Sequence, residues 1–415
     1  MQLYLSLLRD RRVAVIWLGE TVNAFGSALT FWALAWLLYR TYPAQPLVAA
    51  AVLSVLSVSG LLGTLALGAW LDVWDRRRVL MACNLALALL TALVPVVTRA
   101  AWGLLPLLAL VSLIGVLRSL PAPALSATLP GLVPPERLAG LQALFGLTWM
   151  TGELFAPVAA GFLISGLGVT SALWLDAMTY LVAAVVYASV RFPVQAKVDS
   201  PMQTAGLGRW WAQLQGGWGF VSKRPAFWGM FLGMGAANAY FEVFGALFLP
   251  RVGERLLGAV RGPLGVGIID AVTVGAELLA SLWLGKTVIA ARAVRPLVLL
   301  GCTLPVVMAA CVVLAPSFPA ALGFAALNGA AFAPLSVLAA VYVARHTPGV
   351  LMGRVSSVKF FLGNAPRPLA MAAAGGLLPL LGVGPLALVL AGAAVLLGLF
   401  GYWRGGIGSS AEPES

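Results

Sequence analysis

Nine ionisable side chains sit where such groups are expensive, inside long apolar stretches: Glu20, Arg118, Glu153, Asp176, Glu242, Asp270, Glu277, Lys359 and Arg367. A charge in a hydrocarbon environment costs several kcal/mol, so such residues face a cavity or a partner and mark ion or substrate pathways. Glu20 and Asn23 are three apart, and Asp270 and Glu277 are seven apart, so each pair shares one face of a helix. A carboxyl group held away from bulk water binds and releases protons near neutral pH, the property a proton carrier needs. These four are the leading proton or cation sites, with Arg118, Glu153, Glu242 and Arg367 as further coupling or substrate-contacting candidates. Asp176 reads as structural, and Lys359 as a side chain reaching toward the headgroups.

Other chemistry has little to work with. The chain has a single histidine, His346, and three cysteines, Cys83, Cys302 and Cys311, all within apolar segments. No HExxH, no Cys/His metal spacing and no Ser/His/Asp set is present, so no catalytic residue, metal ligand or cofactor site is assigned.

The elements that must position these charges follow from composition. Of 415 residues, 61% are hydrophobic and 10% charged, against roughly 25% charged in a soluble chain. The apolar runs are continuous and lack a two-residue period, which excludes a barrel and leaves membrane-spanning helices. Twelve spans are expected, at 13–39, 47–71, 79–97, 104–126, 138–165, 169–190, 227–249, 264–284, 296–314, 320–343, 355–381 and 385–402. The gap after the sixth divides the chain into a six-helix bundle (1–190), a central loop (191–225), a second bundle (226–403) and a tail (404–415). With both termini on the cytoplasmic side, 18 of the 26 basic residues fall in cytoplasmic segments, the bias that sets orientation. The net charge of +12 therefore serves topology, and no nucleic-acid partner is expected. In the central loop, Leu207, Trp210, Trp211, Leu214, Trp218 and Val221 recur at helical spacing and predict an amphipathic helix along the membrane surface.

The halves resemble each other. A shift of about 214 residues aligns Leu18-Gly19 with Leu232-Gly233, Gly115 with Gly329, and Ala159-Ala160-Gly161 with Ala373-Ala374-Gly375, the mark of parallel six-helix repeats. The same shift places Glu153 opposite Arg367, which suggests that the two pair in one state and separate in another.

Between spans two and three the chain reads Gly68-Ala-Trp-Leu-Asp72-Val-Trp-Asp75-Arg76-Arg77-Arg78. This resembles the signature loop of the major facilitator superfamily. Gly68, Asp72, Arg76 and Arg77 match it, whereas Val73 and Asp75 stand where Arg and Gly are usual. The resemblance implies the major facilitator fold, an all-α integral membrane protein of two pseudo-symmetric six-helix bundles, with these four residues as a cytoplasmic gate. Arg76–Arg78 acting only as topology anchors is the alternative. The stretch from Leu129 to Leu138 is similar to a loop of the exporter branch that handles macrolides and enterobactin. Ala156-Pro157-Val-Ala-Ala160-Gly161 resembles the fifth-span motif of drug antiporters, with Pro157 and Gly161 retained as bend and packing residues. Arg118 resembles the fourth-span arginine implicated in proton coupling.

The resulting expectation is a secondary active transporter in a bacterial cytoplasmic membrane. It would export a hydrophobic or amphipathic small molecule in exchange for protons, act as a monomer, and draw on the proton gradient in place of a cofactor. A uniporter or importer, a membrane enzyme and a non-transporting receptor are the alternatives.

Overall fold

The computed structural model describes residues 2–67, 74–100, 102–190, 215, 217–286, 291–348 and 351–405. Among these residues the regular structure is entirely helical, as backbone groups in lipid require. In chain order the helices are α1 (Gln2–Leu8), α2 (Arg11–Thr41), α3 (Pro46–Leu67), α4 (Arg76–Arg99), α5 (Leu104–Arg118), α6 (Pro121–Thr128), α7 (Pro135–Leu167) and α8 (Val169–Ser189). Then follow α9 (Pro225–Val243), α10 (Leu249–Lys286), α11 (Ala291–Leu314), α12 (Phe318–His346), α13 (Met352–Asn364), α14 (Pro366–Leu381) and α15 (Val383–Gly405).

Ten helical stretches among the described residues are long and apolar enough to cross a membrane, against the twelve spans expected. The difference lies in where helices break. Spans seven and eight form one stretch, Pro225–Lys286, because the turn between them is a single residue. Gly258, at φ 76° and ψ 172°, interrupts the helix there, a backbone state that side chains disfavour. The turn is tight enough that a Cβ on Gly253 would lie 2.6 Å from the Gly262 carbonyl oxygen. Span eleven is divided instead. Pro366 has no N–H to give to the Leu362 carbonyl, and the helix bends at Ala365 into α13 and α14, of 13 and 16 residues. Span four likewise breaks after Arg118, where Pro121 starts α6.

The chain packs as two compact units, one of Met1–Thr41 with Val55–Gly208 and the other of Tyr42–Ser54 with Arg209–Ser415. In the first, α2 packs on α7 and α8, and α4 on α5, α6 and α8. In the second, α9 packs on α11, α13, α14 and α15, while α12 packs on α10 and α11. The first half of α3 groups with the second unit, where Ser54 Oγ donates to the Pro368 carbonyl at 3.3 Å. Of the amphipathic face expected in the central loop, Leu207, Trp210, Trp211 and Leu214 lie outside the described residues. Trp218 meets Trp228 edge to face with centroids 5.0 Å apart, and Val221 is buried in the second unit's core.

The repeat read from sequence is present in the backbone of each unit. Gly168 closes α7 at φ 86° and sends its N–H to the Ile164 carbonyl at 3.2 Å. Its counterpart Gly382 closes α14 at φ 74° and reaches the Leu378 carbonyl at 3.0 Å. Gly115 lets α5 approach α3 so closely that a Cβ would strike Ser59 Oγ and lie 2.5 Å from the Leu56 carbonyl oxygen. Gly329 does the same for α12 on α10, where a Cβ would strike the Thr273 carbonyl oxygen and lie 3.0 Å from the Glu277 nitrogen. Small residues at such crossings are how membrane helices gain dispersion contact without a hydrophobic driving force.

Gly115→Val and Gly329→Val should therefore each lower stability by about 1–3 kcal/mol, the usual cost of overpacking. Gly166→Val and Gly323→Val, at helical positions with nothing within 4 Å of a new Cβ, should change little. The temperature at which the detergent-solubilised protein loses its monodisperse size-exclusion peak reports both.

Candidate functional site

The polar groups of the first unit converge on the contact between α2 and α8. The two helices run antiparallel, and their contacts recur every seven residues. Glu20 meets Tyr187 and Ser27 meets Tyr180, while Gly19 lies against Val186 and Gly26 against Thr179. A seven-residue repeat keeps one seam of each helix facing the other. The two glycines leave room for the polar side chains beside them.

Three groups of hydrogen bonds line this seam. Glu20, 3% exposed, accepts from the Tyr187 hydroxyl at 2.6 Å and from the Asn23 side chain. Asn23 is 6% exposed, and its own Oδ1 is buried with no hydrogen-bond partner. About three turns along α8 from Tyr187, Asp176 is fully buried. It accepts from Thr30 Oγ1 through Oδ2 and from Thr179 Oγ1 at 3.1 Å through Oδ1. Between the carboxylates, Ser27 Oγ donates to the Tyr180 hydroxyl at 3.0 Å, and Arg118 Nη2 donates to the Ser27 carbonyl at 3.2 Å. Arg118 also interacts through space with Asp176. Arg118 also lines a cleft of about 230 Å³ between α3 and α5, together with Leu56, Leu61, Thr64 and Ser119.

The second unit holds a different constellation at the bend of span eleven. Arg367 Nη1 lies 3.6 Å from Glu242 Oε2. One turn before Glu242, Asn238 Nδ2 donates to the Gly363 carbonyl at 3.1 Å. Gly235 lies so close to the Leu362 carbonyl, the one Pro366 leaves without its usual N–H, that a Cβ there would collide with it. The helix is thus broken where a neighbour is shaped to receive it.

The remaining candidates are more dispersed. Asp270 and Glu277 sit half-buried, two turns apart along α10. Glu153 is exposed on α7, one turn before the buried Pro157 and Gly161. Of the gate residues, Gly68 and Asp72 lie outside the described residues. Arg77 donates from Nε to the Tyr187 carbonyl at 3.1 Å and from Nη2 to the Ala188 carbonyl, so it caps the end of α8, where helix carbonyls lack amide partners. Asp75, which departs from the motif, is the N-cap of α4 and accepts from the Arg78 N–H at 3.1 Å. Sequence reasoning missed Ser27, Thr30, Thr179, Tyr180, Tyr187 and Asn238. The seven-residue spacing shared by Glu20/Ser27 and Tyr180/Tyr187 was the available signal.

Thr30→Val keeps the shape of the side chain and removes one donor from Asp176, so it should destabilise the protein by about 1–3 kcal/mol. Tyr187→Phe should act in the same direction on Glu20. Pairing Thr30→Val with Asp176→Asn in a double-mutant cycle, read by thermal unfolding in detergent, should show strong coupling, because both changes touch the same hydrogen bond.

Comparison with known proteins places this architecture. Residues 16–369 match the family model described as Major Facilitator Superfamily. No curated protein matches the sequence significantly. Among solved structures, a variant of the nucleoside transporter NupG superposes with a TM-score of 0.74 at 13% identity, covering 95% of this chain and 99% of that one. The peptide transporter POT, in complex with sulfate, gives 0.70 at 14% identity, covering 94% and 93%. A bacterial homologue of the iron transporter ferroportin, in an inward-facing state, gives 0.68 at 15%, covering 94% and 98%. At these identities the likeness is one of fold. The match over most of its length and the paired six-helix repeat together make this chain a member of the major facilitator superfamily.

Proposed function

We propose that the protein is a proton-coupled exporter of a hydrophobic or amphipathic small molecule, working by alternating access in a bacterial cytoplasmic membrane with both termini inside. The observation that carries the proton part is the geometry around Glu20. A carboxylate only accepts hydrogen bonds, whereas a protonated carboxyl group also donates one. The buried Asn23 Oδ1, which lacks a donor, sits three residues away on the same helix. Protonation of Glu20 would supply a donor to that oxygen once the Asn23 amide, which now donates to Glu20, flips, so Asn23 offers a partner to either protonation state. Asp270 and Glu277 on α10 are the second-half candidates for the same role. The export direction rests on the resemblance of the Leu129-to-Leu138 loop and the Pro157/Gly161 stretch to exporter motifs. The neighbours named for nucleosides, peptides and iron share the scaffold across different cargoes, which leaves the cargo to local pocket chemistry. We assign Gly68, Asp72, Arg76 and Arg77 to the cytoplasmic gate, with Arg77 acting through the α8 carbonyls it caps.

The test begins with a thermal-shift screen of the purified protein against drugs, siderophores and metabolites. Any hit is then followed into proteoliposomes with an imposed pH gradient. Efflux should accelerate when the proton gradient is directed inward, so that proton entry drives substrate exit, and Glu20→Gln should abolish that dependence while facilitated exchange persists. Flux unaffected by the gradient in the wild-type protein, with Glu20→Gln and Asp270→Asn both silent, would establish a uniporter instead.

A further inference from the structure

The guanidinium of Arg118 is not matched by the groups around it. It offers five N–H donors, and among the described residues one is taken, by the Ser27 carbonyl at 3.2 Å. The nearest balancing charge, Asp176, is engaged by Thr30 and Thr179 and acts on Arg118 only through space. Among the described residues no carboxylate lies within ion-pair distance of Arg118. A cation in a membrane bundle normally meets a counter-charge or water. Here Arg118 lines the cleft of about 230 Å³ between α3 and α5.

The rest of the cleft complements a particular kind of molecule. Leu56 and Leu61 supply apolar walls. Thr64 and Ser119 spend their hydroxyl protons on their own helices, at 3.0 Å to the Gly60 carbonyl and 2.7 Å to the Val116 carbonyl. Their oxygen lone pairs therefore remain available to accept from a ligand N–H or O–H. The volume falls below the roughly 300–1,000 Å³ of drug-sized sites, so it suits a small molecule or the end of a larger one.

We propose that this cleft is an oxyanion subsite, in which Arg118 holds a carboxylate or phosphate in fork geometry while Leu56 and Leu61 receive the adjoining apolar chain. The cargo is then an amphiphilic organic anion, and Arg118 is a specificity-determining residue. As a statement about cargo this rests on the transport reading above, but it is tested by binding alone. Loss of coupled flux would leave it standing, and loss of anion binding would leave transport standing.

Equilibrium dialysis of the full-length protein in maltoside detergent, with octanoate and octanamide as probes, decides it. Octanoate should bind at least about tenfold more tightly than the uncharged amide, the worth of one charge-assisted hydrogen bond. Arg118→Gln should remove that preference, Arg118→Lys should retain part of it, and Leu61→Trp, which fills the cleft without touching the charge, should weaken octanoate binding. In nanodiscs, displacement of octanoate by phosphatidylglycerol but not by phosphatidylcholine would identify a lipid headgroup as the source of the same oxyanion. Equal binding of octanoate and octanamide to the wild type, or octanoate binding unchanged in both Arg118→Gln and Leu61→Trp, would overturn the proposal. The wild-type comparison and Leu61→Trp keep the test decisive even if Arg118→Gln does not fold.

Discussion

A carboxylate with no access to water has to find all its hydrogen bonds in the protein, and Asp176 imposes that requirement on the whole first unit. One oxygen is held by Thr179 on its own helix and the other by Thr30 on α2, and the bond to Thr30 sets the register between the helices. Once the register is set, Ser27 falls opposite Tyr180 and Glu20 opposite Tyr187. Gly19 and Gly26 must then be glycines, because the side chains they face leave no room for a Cβ. An apolar seam would tolerate a slip by one turn at little cost. This one would strand a buried charge, which costs several kcal/mol.

The second unit solves the same packing problem differently. Its first helix, α9, meets α15 through Gly229, Gly233, Gly398 and Gly401, with backbones in close approach and no polar seam. Its polar groups gather at the bend of span eleven, where Asn238, Glu242 and Arg367 cluster. Two related halves have thus separated their tasks. One ties its carboxylates into a fixed lattice of hydroxyl groups, and the other places an ion pair beside a broken helix.

Much of the fold was legible because its causes are local. Apolar runs of span length and the matched Gly115 and Gly329 act through the chemistry of lipid and close helix contact. The breaks were harder to place. Pro366 and Pro368 flank Arg367 in plain view, yet whether a proline ends a membrane helix or bends it depends on a neighbour, here Gly235 and Asn238, some 125 residues away. Asp176 was read as structural and Glu20 as functional, although both lie on the same seam. Their difference rests on whether every buried polar atom around them is satisfied, which spacing alone does not reveal. Asp75 looked like a defect in a motif, and it is a helix cap.

Gly168 and Gly382 end their helices with the same backbone conformation and the same closing hydrogen bond. The starts also correspond, with α5 opening after Gly103 and α12 after Ser317. The segments bounded by these points, 104–168 and 318–382, therefore have equal length and matching exit turns, although Gly103 enters at φ 90° and Ser317 at φ -146°. Between those points they break in different places, the first after Arg118 and the second at Ala365. An exchange of one for the other would move the Arg118 cleft's α5 wall without changing the length of the chain, which separates what the outer frame contributes from what the breaks and residues within it contribute.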